Sequence, residues 1–147
     1  MKKERIQAGQ ITIDFLLEDA DTKGAATMFE FTVQAGAKVP VPHYHKNFDE
    51  TVYGLTGIMT FTVDGKTIDI APGESFFIPR GAVHGFNNLK QEDAKVLAVI
   101  TPGLLGPDYF KEMAEIINAG GPPDVNKLKQ IMTKHGLVPV IPQMQTT

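Results

Sequence analysis

The chain has no cysteine, only two arginines among its 147 residues, and no apolar run of the length a membrane span requires. Each shortage closes off a class of chemistry. Without cysteine there are no disulfide staples, no zinc thiolate sites and no thiol nucleophile, so a metal would have to be held by histidine, carboxylate or water. No window nears the roughly 18 apolar residues of a spanning helix, and the start MKKERIQAGQ lacks the apolar stretch of a signal peptide. A soluble, cytoplasmic protein without a membrane partner is the expectation. The formal net charge of −3 lacks the basic excess that phosphate-backbone binding needs, and the lysines are scattered, so no nucleic-acid partner is expected. Arg5, near the terminus, and Arg80, in a turn, leave no bidentate clamp for a phosphosugar or a dicarboxylate.

What is present is enough for one domain with a substantial core. Apolar residues make up 42% of the chain, and a chain of this length buries roughly 70% of its unfolded surface. Between residues 11 and 101 short β-like runs are separated by Gly, Pro and Asp: ITIDFLL, ATMFEFTV, ETVYGL, GIMTFTV, KTIDI, ESFFIP, AVHGFN and KVLAVIT. Close, even spacing of short strands predicts an all-β antiparallel sandwich or barrel. Asp64-Gly65, between two such runs, supplies the positive backbone dihedrals of a two-residue hairpin. After residue 103 the period changes. Phe110, Met113, Ala114 and Ile117 fall at helical spacing behind an Asp that can cap the first turn, predicting a helix over 108–118. A second is predicted over 124–135, with Leu128, Ile131 and Met132 as its stripe and Gly136 as its stop. Residues 1–106 therefore read as a β-barrel and 107–147 as a helical extension of the same domain, packed outside it for structural reasons alone.

Three of the four histidines are spaced for a shared site. His43 and His45 flank Tyr44, and alternation along a strand would turn both imidazoles to one face. Glu50 opens the next strand-like run and would lie beside them if the two strands meet through Lys46-Asn47-Phe48-Asp49. His84 follows the turn Pro79-Arg80-Gly81, which would bring a later strand back across the barrel. Three imidazoles and a carboxylate suit one divalent transition metal ion (Mn, Fe, Co, Ni, Cu or Zn) without naming it. A His-x-His pair alone is more often a solvated or hydrogen-bonded feature. His135, in KHG at a helix end, reads as a capping residue.

The wider pattern changes that weighting. Gly36-AKVPVP-His43-Tyr44-His45-KNFD-Glu50-TVYGLT-Gly57 and Gly73-ESFFI-Pro79-Arg80-Gly81-AV-His84-GFN-Asn88 resemble the two signature motifs of the cupin superfamily. The first spacer is one residue longer than usual, which a loop absorbs; the second motif has all its fixed positions. The resemblance implies a jelly-roll β-barrel, with His43, His45, Glu50 and His84 as metal ligands. Gly36, Gly57, Gly73 and Gly81 are read as turn residues, Pro40 and Pro42 as marks of an edge or bent strand, and Asn88 as turn-closing or ligand-orienting. Met59, Phe61 and Phe86, if they face inward, would line an apolar substrate pocket; the alternative is that they fill the barrel.

Residues 36–147, including TPG at 101–103 and KHGLVPVIP, look like bacterial quercetinase-like single-domain cupins. That resemblance implies dioxygen cleavage of a flavonol, enol or diketone-like small molecule, with Glu50 both ligand and catalytic base. Another metal-dependent activity such as isomerisation, or a non-catalytic small-molecule sensor, remains open, since one scaffold hosts many functions. Sensor cupins are usually fused to a DNA-binding domain, and none is expected here. A homodimer is expected because open sheet edges need cover, with ITIDFLL as the pairing edge.

Overall fold

Residues 4–37 and 41–140 are described by a computed structural model. In chain order the strands are β1 (Glu4–Ala8), β2 (Ile11–Leu17), β3 (Thr27–Val33), β4 (His43–His45), β5 (Asp49–Thr56), β6 (Met59–Val63), β7 (Lys66–Ile70), β8 (Ser75–Ile78), β9 (His84–Asn87), β10 (Ala94–Thr101) and β11 (Leu137–Pro139), with helices α1 (Pro107–Asn118) and α2 (Val125–Lys134) ahead of the last strand. They form two antiparallel sheets, ordered β1-β2-β3-β10-β5-β8 and β11-β4-β9-β6-β7. This is the double-sheet jelly roll; the sheets stay open and do not close into a barrel.

Period-two alternation sets the core. On β3, Thr27, Phe29, Phe31 and Val33 are buried, and on β10 so are Ala94, Val96, Ala98 and Ile100. Asp64 and Gly65 take φ of 48° and 81°, joining β6 to β7 in the hairpin that the sequence predicts. Gly57 combines φ of 67° with a position where a Cβ would collide with the Asp93 carbonyl, so both conformation and space demand glycine.

Four expectations need correcting. ITIDFLL is not an edge: β2 lies between β1 and β3, and the edge is the charged segment Glu4–Ala8. Strands β4 and β5 are not neighbours, because the connection through Phe48 crosses from one sheet to the other. Asp108 caps nothing; Gly106 is the N-cap of α1 and Pro107 takes the first helical position, while Asp108 sits in the first turn, where the helix dipole favours an acid. Finally, Leu137–Pro139 is a strand, running antiparallel to His43–His45. Asp124 and Gly136 do bound α2 as predicted, the Asp124 carboxylate accepting from Lys127 N and Gly136 turning at φ of 84°. Pro40 lies outside the described residues, and Pro42 precedes β4, its carbonyl accepting from Val140 N.

The helices are fastened to both sheets. Asn118 at the end of α1 accepts from Gly9 N and donates to Gln7 O, holding the β1–β2 hairpin, and Lys111 pairs with Glu4 at 2.8 Å. Lys134 and His135 of the second helix meet Glu112 of the first at 2.6 and 3.0 Å. His135 is thus the C-cap of α2 and also part of an interhelical clasp. No helix among the described residues is long and apolar enough to cross a membrane.

Candidate metal centre

The five-stranded sheet brings the three histidines together by register. His43 on β4 is the cross-strand partner of His84 on β9, and His45, two residues on, returns to the same face. One ring nitrogen from each lies within 4.8 Å of the others, and His43 Nε2 and His45 Nε2 are 3.2 Å apart. Glu50 stands outside that tight triad but next to it. It reaches over from the opposite sheet, with Oε1 3.8 Å from His45 Nε2.

Two of the imidazoles are oriented by backbone. His43 Nδ1 lies 3.0 Å from Val41 O, and His84 Nδ1 lies 2.9 Å from Ala82 O. With Nδ1–H donating to a carbonyl, each ring leaves its Nε2 lone pair for a cation. His45 is held by packing instead: its ring stacks on Phe48 at 4.4 Å, and its buried Nδ1 has no partner.

The electrostatics favour neutral ligands. Burial and the neighbouring His84 push His43 down to about 4; burial, then His43 and His84, push His45 down to about 2; burial lowers His84 as well. At neutral pH all three are unprotonated bases. Burial alone pushes Glu50 up to about 7, so an adjacent cation would be what keeps it ionised. Two ring nitrogens 3.2 Å apart and one desolvated carboxylate fit a divalent cation with mixed nitrogen and oxygen donors.

The site opens onto a cavity of about 130 Å³. Its lining is apolar except for His43, His45, Glu50 and Tyr109. Of the predicted pocket residues, Phe86 lines it. Met59 and Phe61 do not: both are wholly buried in the core, and the Phe61 ring supports Phe86 from 5.8 Å. The larger departure is the wall itself. Tyr109, Phe110, Met113 and Ile117 of α1, with Leu128 and Met132 of α2, line the cavity, so the helices form part of the site and do not merely pack outside it. Their apolar stripes were visible in the sequence, but a stripe does not say which surface it covers.

Neighbouring polar residues have other duties. Asn88 is fully buried, donating to Val33 O and Glu92 O and accepting from Lys90 N, which makes it a loop-closing residue. Arg80 forms a two-pronged pair with Asp49 at 3.2 and 3.1 Å, and Arg5 one with the buried Asp14 at 2.7 and 3.2 Å. Neither arginine lines the cavity.

Sheets, register and histidine cluster together define a cupin, and residues 29–100 match the cupin domain family. The protein is a cupin with a two-helix extension. Over 75 residues, 51% of its length, it is 36% identical to quercetin 2,3-dioxygenase of Bacillus subtilis (strain 168), of which the match covers 22%. The chain thus spans under a quarter of that relative. A predicted oxalate decarboxylase from Thermotoga maritima superposes with a TM-score of 0.61 at 28% identity, over 67% of this chain and 90% of the other. A cupin sugar phosphate isomerase from Silicibacter pomeroyi gives 0.52 at 25%, over 60% and 59%.

Proposed function

We propose that the protein is a metal-dependent cupin enzyme, a quercetinase-like dioxygenase acting on a flavonol, enol or diketone-like small molecule. The observation that carries this reading is the convergence of three imidazoles and one buried carboxylate, of which His43, His45 and Glu50 lie on the wall of a largely apolar cavity. His43, His45 and His84 would hold the ion, with Glu50 as a fourth ligand. Bound there, a divalent metal supplies a Lewis acid toward an enolic oxygen.

The remaining work falls to the chain. Glu50, whose proton affinity burial raises and which an adjacent cation would keep ionised, is placed to take the acidic hydroxyl proton of a bound enol at its carboxylate oxygen. The aromatic and aliphatic walls exclude water that would compete for the site. Val41 and Ala82 carbonyls fix the ring orientations of His43 and His84. The likeness to the Bacillus enzyme supports the reaction class. An isomerase or decarboxylase handling an anionic sugar or dicarboxylate is less well supported, because both arginines are paired with aspartates away from the cavity. A non-catalytic binding role would use the same cavity. The test is elemental analysis of the purified protein followed by oxygen uptake against flavonols and 1,3-diketones; consumption that tracks metal content supports the enzyme, and saturable binding without consumption supports the binding module.

A further inference from the structure

We infer that the ligand of this cavity is compact, uncharged and largely apolar, about the size of one six-membered ring, and that Met113 and Ile117 of α1 set this limit. The inference narrows the substrate class, and its polar end rests on the metal-centre reading above.

Volume is the first ground. At about 130 Å³ the cavity is close to the roughly 150 Å³ apolar cavity that accommodates benzene, and since it is open on one side this volume sets the size of the ligand portion seated between its walls. A three-ring flavonol exceeds it. An enolised 1,3-diketone of single-ring dimensions fits.

The lining gives the second ground. No lysine or arginine contributes to it, so a carboxylate or phosphate would find no counter-charge apart from the ion, whose ligands already include Glu50 in this reading. Away from His43, His45 and Glu50, one polar side chain remains. Tyr109 has no hydrogen-bond partner among the described residues and is held protonated by burial, so it offers a single O–H donor to a ligand oxygen.

The helical wall supplies the size limit. Phe110 is fixed by the rings of Phe15 at 5.7 Å and Phe29 at 5.1 Å and cannot be cut back without opening that aromatic cluster. Met113 and Ile117 lie one and two turns further along the same face of α1, only partly buried, with Ile117 resting over Gly9 of the β1–β2 turn. They are the wall positions where removing side-chain volume lengthens the cavity at least cost to the core.

The experiment is a ligand-size series by titration calorimetry, using benzene, pentane-2,4-dione and quercetin on metal-loaded and metal-stripped protein, with the variant Met113→Ala/Ile117→Ala alongside. Wild type should bind benzene in both forms and pentane-2,4-dione more tightly when loaded, with quercetin at least 100-fold weaker than the diketone. The double variant should gain at least tenfold for quercetin. Quercetin binding wild type as tightly as pentane-2,4-dione overturns the size limit, without any variant having to fold. A folded double variant that gains nothing for quercetin overturns the assignment to Met113 and Ile117. If benzene binds and quercetin does not, but diketone affinity is indifferent to metal, the size limit stands and the metal-centre reading falls.

Discussion

Glu50 and His45 belong to opposite sheets, yet Glu50 Oε1 lies 3.8 Å from His45 Nε2. The contact exists because the connection between β4 and β5 crosses the sandwich and buries Phe48 on the way, under the His45 ring. The candidate metal centre therefore lies between layers: histidines from one sheet, with the carboxylate beside them coming from the other.

Phe48 should consequently matter to the centre without touching the metal. Phe48→Ala removes a fully buried ring and is expected to cost about 3–5 kcal/mol in chemical denaturation. His45 has no Nδ1 partner to replace the stacking, so metal affinity should fall as well, by about tenfold. Unchanged affinity in a folded variant would mean that His45 is oriented by something else.

The helical wall should be separable from the metal. Leu128 and Met132 are buried and line the cavity, so Leu128→Ala and Met132→Ala are each expected to cost about 2–5 kcal/mol, toward the lower end because they enlarge an existing void. Metal content per folded protein should stay at the wild-type value. A loss of metal in proportion to stability would tie the helices to the centre itself.

The interhelical clasp gives a pH dependence. Lys134 first, then His135, holds the Glu112 carboxyl below the usual range. A depressed carboxylate contributes stability above its unfolded pKa and loses that contribution as pH falls through its folded value. Glu112→Gln should thus lower Tm near neutrality, and the difference from wild type should vanish on acidification below the carboxylate range. A difference that persists in acid would show that the clasp is not what the substitution removed.

Much of this fold was legible in the sequence because its signals are local. Ile11–Leu17 and Lys66–Ile70 are strands over the same residues that alternation marks, Asp64-Gly65 makes its turn, and Asp124 and Gly136 bound their helix. What was not legible depends on distant partners. Leu137–Pro139 is too short, and contains a proline, so that only its pairing with His43–His45 makes it a strand. Glu4–Ala8 is charged and carries its pattern only as the outer neighbour of β2. The histidines could be grouped from spacing and resemblance, but that Glu50 approaches from the opposite sheet, and that α1 and α2 wall the cavity, are facts of topology.

Association should follow from the open edge at β8. Beside it Phe77 and Tyr53, diagonal neighbours on the outer face, are 54% and 43% exposed, a pair of aromatics that a homodimer would cover. Light scattering at micromolar concentration should give twice the chain mass, and Phe77→Lys should halve it. A wild-type monomer would refute this.

The central claim is that the histidines bind and Glu50 reacts. Three imidazoles can hold a divalent ion unaided, whereas the proton of a bound enol needs a base. The most direct test measures metal content and turnover of a confirmed substrate together for Glu50→Gln and His84→Ala. The account predicts that Glu50→Gln keeps most of the metal while its rate falls by about 10²- to 10⁴-fold, and that His84→Ala loses both. If Glu50→Gln loses metal as completely as His84→Ala, or turns over at the wild-type rate, Glu50 is not the base and the account is wrong.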